Sequence, residues 1–255
     1  MDIAERVATV TLNRPNVRNA LNRELRRVLH RTVGALGADD TVEVVILTGT
    51  DPAFCAGIDL KELASGADPS AEAMAADDSP PWTRGPLPPV GKPVIGAING
   101  IAITGGFELA LRCDLLVASE RAAFADTHAR VGIMPDWGLT VLLPQAVGVR
   151  RARELSATGN FLDARTALAW GLVNHVVPHD ELLPLCSRLA ADIVSNDQRA
   201  VRRILQTYAE GARLSTADAW QHEARVARDW QGTGIDPTEI ETRRTAVTQR
   251  GRSQL

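Results

Sequence analysis

Pro93-Val94-Ile95-Gly96-Ala97-Ile98-Asn99-Gly100-Ile101-Ala102-Ile103-Thr104-Gly105-Gly106-Phe107-Glu108-Leu109-Ala110-Leu111-Arg112-Cys113-Asp114 is the stretch on which the fold turns. Pro93 to Ile98 is a short apolar run, the pattern of a strand buried on both faces. Asn99-Gly100 and Gly105-Gly106 bracket a tight connection into a short helix carrying Phe107, Glu108, Leu109 and Leu111. Two glycines at a helix start leave adjacent backbone N–H groups free, and such donors stabilise a developing oxyanion. Glu108 falls in the first turn. A carboxylate there is equally explained by the helix dipole.

A second loop lies upstream, at Ala53-Phe54-Cys55-Ala56-Gly57-Ile58-Asp59-Leu60-Lys61-Glu62-Leu63. It follows an apolar strand, Val42 to Thr48, through a loop from Gly49 to Gly57, and it leads into a helix that Asp59 can cap. Gly57 permits a sharp turn and close ligand approach. Further upstream, Val7 to Leu12 alternates as a strand does, and Asn13 to Asn16 is turn material. Asn19 is placed to cap a helix through Leu21, Leu25, Val28, Leu29 and Val33 that ends at Gly34 or Gly37.

Lys61 to Pro89 is rich in Ala, Ser, Asp and Pro. It reads as a short helix and then a mobile loop, with Ala64 to Pro89 a candidate lid. Downstream, Leu115 to Ala118 is a strand and the chain is helical almost throughout from Gly138. Asp163 caps a segment that Gly171 ends, and Leu172 to Val177 is briefly extended. Amphipathic helices follow at Asp180 to Val194, Gln198 to Tyr208 and Thr216 to Trp230. Strands in the first half and helices in the second predict an α/β core over 1–195 and a helical C-terminal region over 196–255.

At 45% hydrophobic and 23% charged residues, the 255-residue chain has the composition of a globular protein with a substantial core. A net charge of −3 gives no basic field for nucleic acid. No apolar run is long enough for a membrane span. The charged Asp2, Glu5 and Arg6 stand where a signal peptide needs its apolar centre. Cys55, Cys113 and Cys186 are far apart and odd in number, so neither a disulfide framework nor a zinc site is expected, and a cytoplasmic setting fits.

The two loops in this order, Ala53-Phe54-Cys55-Ala56-Gly57-Ile58-Asp59-Leu60 and then Lys92 to Asp114, resemble the crotonase (enoyl-CoA hydratase/isomerase) superfamily. Agreement continues at Thr11-Leu12-Asn13-Arg14-Pro15, Asn19-Ala20-Leu21, Gly132, Pro135, Gly138, Thr158-Gly159, Ala167 and Gly171-Leu172-Val173. The resemblance implies a spiral of ββα units with a C-terminal helical region that assembles trimers or hexamers. It implies acyl-CoA thioester substrates, with CoA arriving as part of the substrate and no metal or redox cofactor. The oxyanion-hole donors fall on the N–H groups of Ile58 and Gly105. Ala56, Ile58, Asp59, Leu60, Lys61 and Gly105 fall on the CoA site.

The sequence departs from the hydratase pattern at one position. Hydratases of this family place two glutamates around one water. The first matches Glu108, but Phe124-Ala125-Asp126-Thr127-His128 puts His128 where the second belongs. Three roles are open to His128: acid or base, since imidazole titrates near pH ~6.5; a neutral hydrogen-bonding group; or a structural histidine. Asp136 matches a proton-shuttling aspartate of the dienoyl-CoA isomerase branch, and N-capping of the helix from Gly138 explains it equally. Arg130 and Trp137 are candidates to shape the acyl pocket. The leading expectation is enoyl-CoA hydration; enoyl- or dienoyl-CoA isomerisation and a non-catalytic acyl-CoA binder are the alternatives.

Overall fold

The computed structural model describes residues 1–65, 83–232 and 237–254. Most of the expected lid over 64–89 lies outside the described residues. The strands are β1 (Asp2–Ala4), β2 (Val7–Leu12), β3 (Val44–Gly49), β4 (Ala53–Cys55), β5 (Val94–Ile98), β6 (Ile101–Ile103), β7 (Leu115–Ser119), β8 (Ala123–Ala125), β9 (Leu162–Asp163) and β10 (His175–Val177). The helices are α1 (Arg23–Ala38), α2 (Leu60–Ala64), α3 (Gly105–Leu111), α4 (His128–Val131), α5 (Leu139–Val147), α6 (Val149–Thr158), α7 (Ala164–Trp170), α8 (Leu182–Val194), α9 (Gln198–Gly211), α10 (Thr216–Gly232) and α11 (Pro237–Gln254).

The strands form two sheets. One has the order β1-β2-β3-β5-β7-β10, the other β4-β6-β8-β9. The chain passes from a strand of the first sheet to a strand of the second, then into a helix, and repeats: β3-β4-α2, β5-β6-α3, β7-β8-α4. Each turn lays its strands parallel to those of the turn before, as in Ile95 beside Leu115 and Ile101 beside Ala123. This is the expected spiral of ββα units.

Burial alternates with the strand period of two. Val45, Leu47, Val94, Ile98, Leu116 and Ala118 enter one apolar cluster with Leu29, Val33 and Leu36 of α1. Val44, Ile46, Ile95, Ala97 and Val117 enter a second with Leu182, Cys186 and Ala190 of α8. Both faces of the larger sheet are therefore covered, which is why β3 and β5 read as continuous apolar runs.

Several local expectations change. The helix cap is Asn22, whose side chain accepts from the Leu25 N–H at 2.9 Å. Asn19 is instead buried, with Nδ2 donating to the carbonyls of Thr50 (2.8 Å) and Ala53 (2.7 Å) and Oδ1 accepting from the Arg14 N–H. The loop from Gly49 to Gly57 contains β4, and β6 and β8 complete a second sheet that three-residue strands leave without a readable period. Asp163 and Gly171 bound α7 as expected, the first accepting from the Thr166 N–H and the second taking the left-handed C-cap.

The chain divides into two compact units, Met1–Arg202 and Arg203–Leu255, so the break falls within α9. In the second unit Glu210 gathers Gln206 (2.8 Å), His222 (2.7 Å) and Arg203 (3.3 Å). Its Tyr208 and Trp220 are exposed. Among the described residues no helix is long and apolar enough to cross a membrane.

Candidate active site

The first loop is held by an isolated parallel bridge between Leu21 and Ile58. Leu21 donates to the Gly57 carbonyl at 2.7 Å, and its own carbonyl accepts from the Asp59 N–H at 3.2 Å. In a parallel bridge the flanking groups face the partner, so the N–H of Ile58 itself faces the other way. Asp59 caps α2 by accepting from the Lys61 N–H and pairs with Arg14 at 3.0 Å. Burial opposes the charge on Asp59, but Arg14 and the backbone donors outweigh it and hold the carboxyl below the usual range. Leu60 and Lys61 are exposed, while Ala56 and Ile58 are half-buried.

The second loop meets the first backbone to backbone. Gly57 has φ +88°, and a Cβ there would come 2.7 Å from the Ile103 carbonyl and 3.3 Å from the Gly105 nitrogen. A Cβ on Gly106 would sit 2.1 Å from the Cys55 carbonyl oxygen. Both glycines are thus required by close approach. Gly105 is the first residue of α3, and among the described residues neither its N–H nor that of Ile58 has an acceptor. Thr104, just before it, has φ +52° and ψ −115°, strained for a β-branched residue. Its N–H is tied to the Ala125 carbonyl at 2.9 Å and its hydroxyl to that of Thr127 at 2.5 Å.

Glu108 is buried one turn into α3. Its Oε1 accepts from the backbone N–H groups of Trp137 (2.8 Å) and Leu139 (3.3 Å). Its Oε2 lies 3.5 Å from His128 Nε2. His128 is also buried, and its Nδ1 is 2.6 Å from Asp126 Oδ1, which accepts the His128 backbone N–H as well. Ser156 of α6 hydrogen-bonds to Asp126. Burial works against a charged His128 ring, but Asp126 and Glu108 together outweigh it and raise its pKa to about 9. Burial opposes the charge on Asp126, but His128 and Ser156 outweigh it and hold the carboxyl below the usual range. Glu108 and His128, far apart in sequence, thus meet in one buried pair.

Asp136 pairs with a different side chain. Its carboxylate is 43% exposed and lies 3.9 Å from Arg84. It does not cap α5 either: the N-cap is Gly138, with no side-chain hydrogen bond. Trp137 is the neighbour that matters. Its indole packs on Gly105 and on Gly85, where added Cβ atoms would fall 2.8 and 2.9 Å from ring carbons. Arg112 donates to the carbonyls of Leu87 (3.1 Å) and Trp137 (3.4 Å). Arg130 is occupied away from the site, bonding the carbonyls of Thr158 and Gly159.

Sequence reasoning overlooked Asp126. An aspartate two residues before a histidine can reach both its backbone N–H and its ring, and that spacing was the available signal. Another histidine string lies elsewhere: His179 spans Ser119 Oγ and Asp51 Oδ2, each at 3.0 Å. Ser119 is wholly buried, so this string ties the end of β7 to the β3–β4 corner rather than offering a nucleophile. Among the described residues no group of His, Cys, Asp and Glu is placed to hold a metal ion.

The comparisons agree with this architecture. The family model described as enoyl-CoA hydratase/isomerase matches residues 2–234. A relative from Arabidopsis thaliana named "Probable enoyl-CoA hydratase 1, peroxisomal" is 38% identical, the match covering 96% of this chain and 90% of the relative. A crystal structure of enoyl-CoA hydratase from Mycobacterium smegmatis is 52% identical with a TM-score of 0.74, over 91% of this chain and 97% of that one. A monofunctional enoyl-CoA isomerase from M. smegmatis is 32% identical with a TM-score of 0.69, over 85% and 93% of the two chains. With the spiral of ββα units, the paired glycine loops and these matches together, the chain belongs to the enoyl-CoA hydratase/isomerase family of the crotonase superfamily.

Proposed function

We propose that the protein adds water across the double bond of a 2-enoyl-CoA thioester, with Glu108 and His128 as its acid–base pair. The observation that carries this is the buried Glu108–His128 contact: one Glu108 oxygen is fixed by two backbone donors and the other faces a ring nitrogen. The N–H groups of Ile58 and Gly105 would receive the thioester oxygen. Ala56, Asp59, Leu60 and Lys61 on the first loop would line the CoA moiety, with Lys61 exposed and near the start of α2.

In the step proposed, Glu108 takes a proton from water as its oxygen attacks C3. The displaced π electrons reach the thioester oxygen, where the two N–H groups stabilise the enolate by roughly 3–4 kcal/mol per donor. His128 Nε2–H then delivers its proton to C2 and the carbonyl re-forms. The proton left on Glu108 returns to His128, so the product gains one OH and one H and the enzyme is restored. CoA enters with the substrate, and this sequence calls on no further cofactor.

Glu108→Ala is the direct test, with loss of the conjugated enoyl absorbance and product mass followed across acyl chain lengths. Loss of hydration with acyl-CoA binding retained is expected. Unchanged turnover would sink the proposal. The isomerase relative favours a second reading, in which Glu108 moves a proton between C2 and C4; deuterium incorporation at C4 without hydrated product would select it. For the second unit we infer self-association into trimers or hexamers, supported by helices without buried side chains and an exposed Trp220. A monomeric mass by light scattering would overturn that.

A further inference from the structure

The aspartate beside His128 has no place in the two-glutamate scheme, yet it makes the shortest contact in the pair. Asp126 Oδ1 accepts from both the backbone and the ring of His128, and Ser156 steadies it from α6. A carboxylate on Nδ1 fixes the tautomer: Nδ1 keeps its hydrogen, and Nε2 is the nitrogen that gains or loses a proton toward Glu108. Resting on the hydratase reading, we propose that Asp126 is a positioning residue that turns His128 into the charge equivalent of a protonated carboxylic acid.

The charges close. An imidazolium and its aspartate sum to zero, as a protonated carboxyl does. After giving up the Nε2 proton the pair carries one negative charge, as a carboxylate does. A site built on Glu108 with the Asp126–His128 pair therefore holds the same total charge and the same single mobile proton as one built on two glutamates. A lone histidine could not do this, because its donor form would leave one more positive charge facing Glu108 and the substrate. The geometry also makes the roles unequal, with the proton stored on His128 and Glu108 free to receive one from water. Among the described residues, the charged groups acting on the ring are Glu108 from α3 and Asp126 from its own turn. Arg112 interacts electrostatically with Glu108. His128 is held up at about 9, in keeping with a ring charged through the neutral range.

The test is Asp126→Asn, which keeps an oxygen for the Nδ1–H but removes the charge. The substitution is made in the native chain and in a His128→Glu background. With His128 present, kcat should fall by at least about tenfold, KM should change little, and the alkaline limb of the kcat profile should move to lower pH. With Glu at 128, which needs no counter-charge, the same change should cost no more than about threefold. An equal loss in both backgrounds would mean a merely structural aspartate and overturn the proposal. Nitrogen NMR of the His128 ring decides independently of activity: its titration should drop in Asp126→Asn, and an unmoved midpoint also overturns it. Full hydration turnover in His128→Ala would instead reject His128 as the acid of the hydratase scheme, and the proposal with it, while leaving the NMR result standing.

Discussion

Gly106→Ala is the sharpest probe of the junction between the two loops. The added Cβ would lie 2.1 Å from the Cys55 carbonyl oxygen and 2.8 Å from the carbonyl carbon and Cβ of the same residue. Neither partner is a flexible side-chain end, so α3 and the first loop must part by about 1 Å to restore ordinary contact. Gly105 adjoins Gly106 and Ile58 follows Cys55 by three residues, so their N–H groups would move apart with it. A misplacement of about 1 Å costs on the order of 100-fold, similar to the loss of one oxyanion-hole donor. We therefore expect kcat for enoyl-CoA hydration to fall about 100-fold, with a smaller change in KM because the donors, in the oxyanion role proposed for them, act chiefly on the transition state. Overpacking should also cost about 1–3 kcal/mol, visible as a Tm lowered by roughly 2–10 °C. Gly34→Ala is the control. It sits in α1 with nothing within 4 Å of the added Cβ, and should gain about 0.5–1 kcal/mol with unchanged kcat. A Gly106→Ala enzyme within about threefold of native kcat would refute the reasoning that the loops are locked in register.

Three further outcomes follow from the structure. Since the His128 pKa is raised in the fold to about 9, the stability it contributes should be complete below its ordinary pKa of ~6.5 and lost as pH rises through about 9; Tm measured over pH 6–10 should fall in the native protein and stay flatter in His128→Ala. Asn19→Ala should cost about 2–4 kcal/mol by urea unfolding, because it leaves the buried Ala53 carbonyl, the half-buried Thr50 carbonyl and the Arg14 N–H without that partner. Asp136→Ala, removing an exposed carboxylate paired loosely with Arg84, should leave hydration within about twofold; a large loss would return Asp136 to the chemistry.

The legible parts of the fold were those with a local cause. β3 and β5 show as apolar runs because both faces are buried, and α7 shows as Asp163 to Gly171 because one end is capped by a carboxylate and the other by the left-handed turn that glycine favours. β6 and β8 do not show, because three residues carry too little period, and their pairing is set by the spiral rather than by their own sequence. Asn19 misled for a similar reason: asparagine caps helices often, but here long-range carbonyls claim its amide. In the site, Glu108 and the glycine loops were visible through their motifs. The meeting of Glu108 with His128, the pairing of Asp136 with Arg84 in place of a helix cap, and the hold of Asp126 on His128 are consequences of tertiary placement.

Trp137 gives this chain an optical handle. Its ring lies against Gly105 and its peptide N–H holds Glu108, so its emission is expected to respond to a ligand bound at Gly105 and to any shift of Glu108. The chain has five tryptophans. Replacing Trp82, Trp170, Trp220 and Trp230 with Phe would leave one fluorophore beside Gly105 and Glu108, through which occupancy of the proposed site could be followed in real time with unlabelled substrate.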